Sequence, residues 1–228
     1  MNYLTIVYAY YNTPGAIPEL VKNWNSWNGE AKRSVSIIVV DDGSIEKFYD
    51  IYKKNFCDCN IKIYEILKNI EWNQPGAFNL GIHNAETEWV MIMPVDRLIP
   101  VETISEIINY SLDKNNFYFV RDKIKGIEIG SPPGIILLTK EAFIDCGMFD
   151  EDFCGNYGYD DILLKKQLIK KYTPILSDWH LDVLPHISHQ HRLIRNTEVN
   201  RQLLEKKLEG DIPISKNYFR FKWRKIEL

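Results

Sequence analysis

Cysteine is scarce: the 228-residue chain has 4, at Cys57, Cys59, Cys146 and Cys154. Their spacing makes neither a zinc ribbon nor a disulfide framework, so free thiols and a reducing, intracellular setting are expected. Long apolar runs are also missing. The longest, such as residues 34–40 and 134–138, are far below the ~20 residues that span a bilayer. The first eleven residues lack the basic start and small-residue cleavage site of a signal peptide. There is no excess of positive charge. Lys and Arg total 28 against 31 Asp and Glu, a formal net charge of −3, which speaks against a nucleic-acid partner. No internal repeat or low-complexity tract is present. With 45% hydrophobic and 26% charged residues, the composition is that of a globular protein. What the chain has in quantity is aromatic residues, 13% of the total, with 6 Trp and 13 Tyr. Such rings serve cores first, and they also suit stacking on ring-shaped ligands.

The first half alternates strand and helix patterns. Residues 4–9 form a β-rich run, closed by the turn NTPG. Leu20, Trp24 and Trp27 follow at helical spacing. Residues 34–40 (SVSIIVV) are nearly continuously β-branched, as in a strand buried on both faces of a parallel sheet. Strands are also expected at 61–67 and 89–93, and helices at 46–54, 74–85 and 101–112. This order implies an α/β, doubly wound and mostly parallel sheet with helices on both faces, binding ligands at the carboxyl ends of its strands. The second half is less regular. Strands are expected at 117–121 and 135–139, helices at 140–146, 160–171 and 200–208, and a strand with a loop at 181–191.

Three clusters sit where chemistry would sit. The first is Asp41-Asp42-Gly43-Ser44, directly after a buried strand. Asp and Ser favour such turns as caps. A carboxylate there can also accept from a nucleobase N–H or a ribose hydroxyl, whereas paired acids would repel phosphate. The second is Asp96, just past the strand at 89–93. A lone Asp is commonly a turn residue, but one on this sheet edge is placed to bind a hard cation beside a diphosphate. The third is Tyr157-Gly158-Tyr159-Asp160-Asp161, opening a helix. Acids in a first turn complement the helix dipole. The Gly- and aromatic-rich loop before them suits a sugar, and a carboxylate there suits a general base. A fourth signal is the grouping of His180, His186, His189 and His191, either a chance surface cluster or a source of metal ligands.

Taken in order, these pieces resemble the GT-A glycosyltransferases, particularly family-2-like nucleotide-sugar enzymes and the chondroitin-polymerase and galactosyltransferase types. Residues 6–12 (IVYAYYN) resemble the first strand and its uracil-contacting end. Residues 36–44 (SIIVVDDGS) resemble the second strand with its Asp-Asp-x-Ser ending. Residues 73–88 and 89–96 (WVMIMPVD) resemble the helix and strand leading to the Asp-x-Asp position. Residues 134–153 resemble the acceptor-side segment, and residues 157–163 (YGYDDIL) resemble the Trp-Gly-Gly-Glu-Asp region. Residues 189–201 resemble the late segment in which a His completes the metal shell.

The resemblance implies a GT-A domain over residues 1–201, with a nucleotide-binding half at 1–96 and an acceptor half with a smaller sheet region at 97–201. Residues 202–228 would form a helix and a basic-aromatic tail. Tyr8, Ala9, Tyr10, Asp41, Asp42, Gln74 and Val95 would border the nucleotide. Asp96 would hold Mn²⁺ or Mg²⁺, with His189 as partner and His186 or His191 as substitutes. Gly134, Tyr157 and Tyr159 would face the sugars. Asp161 would be the catalytic base, with Asp160 binding acceptor or donor sugar. The implied reaction moves a hexosyl or N-acetylhexosaminyl group from a nucleotide sugar, UDP favoured, to a hydroxyl of a saccharide or glycan acceptor. Inversion fits an acid pair acting as base; retention is not excluded.

Three positions depart from the family pattern. Pro94 takes the first Asp of Asp-x-Asp, Phe78 takes a common Arg, and Tyr159 takes the second Gly before the acids. Pro94 and Phe78 motivate an alternative, a nucleotide-sugar binder without transfer activity. A nucleotidyltransferase ranks below both, because residues 8–15 carry no basic glycine-rich loop. The tail from Lys216 to Lys225 (KNYFRFKWRK) has five basic and four aromatic residues. It is expected either to pack Phe219, Phe221 and Trp223 on the domain or to touch an anionic membrane from the cytoplasmic side.

Overall fold

The expected parallel strands are present in a computed structural model that describes residues 3–184 and 193–228. Every residue of β2 (Val35–Asp41) is buried. It pairs in parallel with β1 (Leu4–Tyr10) on one side and β3 (Asn60–Ile66) on the other. β4 (Trp89–Pro94) lies in parallel on the far side of β1. The spatial order β3-β2-β1-β4 therefore reverses direction at β1.

Alternation along these strands feeds two cores. Leu4, Ile6, Tyr8 and Tyr10 face one side, with Leu20 and Trp24 of α1 (Ala16–Ser26), Phe48 of α3 (Phe48–Tyr52), and Ile104 and Ile107 of α5 (Val101–Asn109). Ala31 of the short α2 (Gly29–Ser34), capped by the Asn28 side chain, joins this side. Val7, Ile38 and Val40 face the other side, against α4 (Gln74–His83), α6 (Lys140–Asp145) and α7 (Asp160–Leu168). Gly81 lets α4 lie close to the sheet: a Cβ there would stand 2.3 Å from Val7 Cγ1.

The second half extends the same sheet. β8 (Ile136–Thr139) runs antiparallel to β4, and β6 (Asn116–Ile124) runs antiparallel to β8. β9 (Thr173–Val183) lies parallel to β6, with the two-residue β5 (Arg97–Leu98) beyond it. β7 (Ile127–Gly130) forms a hairpin with β6. The strands of the second half are thus continuous with the sheet of the first half.

Several boundaries differ from expectation. α3 starts at Phe48 rather than residue 46, because the Asp41 carboxylate accepts from the Phe48 N–H at 2.8 Å. β9 begins eight residues before the expected strand start at 181. Its sequence, TPILSDWHLDV, is only partly buried and holds Pro174, which disguises it.

Residues 202–228 are woven into this architecture. α8 (Glu198–Glu209) places Lys207 Nζ 2.7 Å from Asp150 and 2.8 Å from Asp152, with the Lys207 and Asp150 side chains fully buried. β10 (Trp223–Ile226) pairs antiparallel with β3 and covers that edge of the sheet. Phe221 is buried with α4, and Arg220 and Arg224 pair with Asp152 and Glu65. No helix among the described residues is long and apolar enough to cross a membrane.

Removing one partner of a buried ion pair strands the other, at a cost of ~3–5 kcal/mol. Lys207→Met should therefore lower the unfolding free energy by about that much in a urea titration, and adding Asp150→Asn should recover part of it. An unchanged midpoint would show that the Lys207 ion pair adds no stability.

Candidate functional site

A reversal of strand order leaves a crevice at the carboxyl ends of the strands. Here the ends of β1 and β4 meet at the pair Ala9 and Pro94, and Tyr10 lies opposite Asp41 of β2. A cavity of about 660 Å³ opens at that point. Ala9, Tyr10, Asp42, Gln74, Val95, Asp96 and Tyr157, all expected at the site, line it. A second cavity, of about 440 Å³, is lined by Gly134, Tyr157, Tyr159, Asp160 and Asp161. Trp72, Gln74, Pro94 and Tyr157 belong to both walls.

The Asp41–Ser44 turn divides its two acids between different tasks. Asp41 points away from the larger cavity and accepts from the Ser44 N–H at 2.9 Å and the Phe48 N–H at 2.8 Å. Burial still pushes its carboxyl above the ordinary range, against the pull of those N–H groups. Asp42 lines the cavity and accepts from Asn73 Nδ2 at 2.6 Å. Burial pushes its carboxyl up to about 7, the Asn73 bond opposes the rise, and the charge of Asp41 adds to it. Gly43 holds the turn at φ +69°, and a Cβ there would meet the Asn69 backbone at 2.8 Å.

Tyr8 does not reach either cavity. Its ring is fully buried against Trp24, at 5.6 Å between centroids, on the α1 side of the sheet. Tyr10 borders the larger cavity, but its hydroxyl donates to the Glu46 carbonyl and its ring packs on Phe48.

The acid pair opens α7 from an unusual residue. Tyr159, the N-cap, has φ +70° and makes no side-chain cap. That is left-handed backbone, which glycine adopts without cost. Tyr159, where the resemblance expects a glycine, meets this backbone demand under strain. Burial and the charge of Asp161 push Asp160 up to about 7. Burial also raises Asp161, whose Oδ1 accepts from the Ile162 N–H at 2.8 Å. Gly134 leaves room at this carboxylate: a Cβ there would stand 3.4 Å from Asp161 Oδ2.

Asp96 is gripped from one side. Arg97 Nη1 lies 2.6 Å from its Oδ2, while Nε and Nη2 of Arg97 bond Asp122 at 3.0 and 2.9 Å. Asp96 Oδ1 is buried and has no hydrogen-bond partner among the described residues. An unpaired, buried carboxylate oxygen on the cavity wall fits one bond to a hard cation. No group of three or more His, Cys, Asp and Glu that could hold a metal occurs among the described residues. A metal here would therefore rest on Asp96, on the ligand's own oxygens, and on groups beyond the described set. His186, His189 and His191 lie outside the described residues. His180 is on β9 beside Glu128, at 3.4 Å, and away from both cavities.

Trp72, Asn73, Arg97 and Arg195 also line the cavities, and none is singled out as a site residue by the sequence. Only Asn73, just before a helix, and Arg97, next to Asp96, stand in suggestive places. Arg195 lines the larger cavity with its guanidinium carbon 5.4 Å from the centre of the Tyr157 ring. Phe78, in place of the common Arg, stacks on Phe149 at 5.7 Å in the core beside the second cavity.

The weakened acidity of Asp160 has a stability consequence. Its folded form holds the proton up to about 7, well above the ordinary carboxylate value. Stability is thus fully present below the ordinary value and falls as pH rises to the folded value. Asp160→Asn never ionises, so its melting temperature should exceed the parent's at about pH 8.5 by more than at about pH 5. An equal difference at both would show that Asp160 ionises normally.

Comparison with known proteins gives the site a family. No curated protein matches the chain in sequence. Among solved structures, residues 1–349 of S. aureus TarS in complex with UDP-GlcNAc align with TM-score 0.64 at 16% identity, covering 84% of this chain and 62% of that one. The mannosyltransferase PcManGT from Pyrobaculum calidifontis, in complex with GDP-Man and Mn²⁺, aligns with TM-score 0.61 at 16% identity, covering 78% and 56%. The catalytic domain of Drosophila beta1,4galactosyltransferase 7, in complex with xylobiose, aligns with TM-score 0.62 at 10% identity, covering 90% and 80%. At these identities the likeness is one of fold, and this chain spans about 60% of the TarS fragment. The family model of Glycosyl transferase family 2 matches residues 5–154, well over half of the sequence and all of the strand-order reversal that builds the larger cavity. The chain belongs to glycosyl transferase family 2, with a GT-A fold.

Proposed function

We propose that this protein transfers a hexosyl or N-acetylhexosaminyl group from a UDP-sugar to a hydroxyl of a saccharide or glycan acceptor, with inversion. One observation carries the reading. Two cavities meet at a shared wall, one edged by Asp42 and Asp96, the other by the acids Asp160 and Asp161. A donor and an acceptor in these spaces would have their reacting atoms at the junction.

The nucleotide belongs in the larger cavity, with Asp42 taking a base or ribose donor. UDP is favoured because the TarS structures include complexes with UDP and UDP-GlcNAc. Arg195 offers positive charge to the diphosphate from the same wall. Asp96, with His189 as a further ligand, would hold Mn²⁺ or Mg²⁺, and the ion would supply charge neutralisation for the departing nucleoside diphosphate. Asp161 takes the proton of the attacking acceptor hydroxyl. Burial raises its affinity for protons, bringing the base closer to neutral pH, where general-base transfer is most effective. Asp160 holds a sugar hydroxyl beside it. Turnover therefore rises as pH rises through the raised range in which Asp161 ionises, and then levels.

The test is nucleotide release from UDP-, GDP- and dTDP-sugars with Mn²⁺, Mg²⁺ or chelator, over an array of saccharide acceptors. Metal-dependent release from a UDP-sugar, lost in Asp96→Ala, is expected. Asp161→Asn should reduce kcat by ~10²–10⁴-fold with donor binding retained. A smaller loss would move the base role to Asp160. Binding without release across the acceptor array would favour a non-catalytic nucleotide-sugar binder, and no binding at all would sink the assignment.

A further inference from the structure

Trp72 is the one large apolar ring shared by both cavities apart from Tyr157. The chain has 6 Trp. Trp24, Trp27, Trp89 and Trp179 are core residues, and Trp223 lies on the edge strand β10. Trp72 alone borders the proposed reaction space. Its backbone has φ +50°, left-handed and costly for a bulky residue. Strain of this kind persists where surrounding contacts enforce it, and it gathers at ligand sites.

Those contacts are visible on both flanks. The Glu71 carbonyl accepts from the Gly155 N–H at 2.8 Å, tying the chain to the acceptor-side loop. Asn73 Nδ2 donates to Asp42 at 2.6 Å, tying it to the nucleotide side. Trp72 is stretched between these anchors. Its ring lies 4.5 Å from the Tyr157 ring, centroid to centroid, and Tyr157 in turn carries the Arg195 guanidinium. Nothing in the core requires an aromatic ring here, since Trp72 is only half-buried and belongs to neither main cluster.

We propose that Trp72 is the platform on which the pyranose of the donor stacks, and that it sets how strongly the protein distinguishes a nucleotide sugar from the bare nucleotide. This deepens the sugar-transfer reading above and rests on it. One face of a pyranose presents ring C–H bonds, apolar and weakly positive. The face of an indole is apolar and negative, so the two surfaces attract and shed water together. The hydroxyls at the sugar's rim stay free to bond Gln74 and the acids across the junction. The platform faces the sugar and leaves base recognition to Asp42.

The experiment compares the full chain with Trp72→Asn and Trp72→Phe. Asn tolerates left-handed backbone and removes the ring; Phe keeps a ring. Dissociation constants are measured by titration calorimetry for UDP, GDP, UDP-glucose, UDP-galactose, UDP-GlcNAc and GDP-mannose. For the nucleotide sugar that the parent binds best, the ratio of its constant to that of its bare nucleoside diphosphate is the readout. Trp72→Asn should raise this ratio about three- to tenfold, and Trp72→Phe should keep it within about twofold. An unchanged ratio in Trp72→Asn overturns the platform while leaving the transferase reading intact. An equal rise in both variants assigns the effect to loop packing and also overturns it. A parent that binds none of the six overturns the nucleotide-sugar reading itself, and the platform with it.

Discussion

Everything in this molecule depends on the central place of β1. It pairs in parallel with β2 on one side and β4 on the other. The chain crosses from one flank to the other there, so no connection covers the carboxyl ends between them. The pairing also fixes which residues reach the open end: Ala9 and Pro94 in register, Asp42 one step past β2, Asp96 two steps past β4. The helices on both faces make the strands rigid, and rigid strands hold the acids that follow them.

The acids themselves are arranged at some cost. Asp42 and Asp160 are both pushed up to about 7. Ionised carboxylates in such positions are unfavourable for the empty protein, and a ligand that donates hydrogen bonds or brings a cation relieves them. The Arg97 bridge between Asp96 and Asp122 does part of this work without a ligand. Tyr159 and Trp72 add left-handed backbone in the wall of the second cavity. Stability given up at one place in the fold thus coincides with the place where binding could return it.

The core of this picture was legible in the sequence. β1, β2 and β4 are continuous apolar runs, so their ends fall within one residue of expectation, and the acids that follow them were placed with them. What the sequence could not show was which way side chains face. In a strand buried on both sides, apolar residues occupy both parities, and Tyr8 cannot be told from its neighbours by alternation. Asp41 and Asp42 are likewise indistinguishable until the Phe48 N–H is seen to claim the first. β9 escaped because its surface-facing residues and Pro174 hide the pairing with β6. Trp72, Asn73 and Arg195 act through contacts with distant loops, and no local pattern announces such contacts.

β10 gives the sheet a property beyond the site. The two edges of the sheet path are a four-residue strand at β10 and a two-residue strand at β5. Short edges offer little backbone for another chain to pair with. Behind β10 lie β3 and the β-branched β2, which together would template intermolecular pairing if uncovered. The hold on β10 includes the Arg224–Glu65 contact and the antiparallel ladder to β3. Peeling of that strand would therefore convert a covered edge into an aggregation seed while the two cavities, several strands away, were still formed. Loss of solubility would precede loss of the binding geometry.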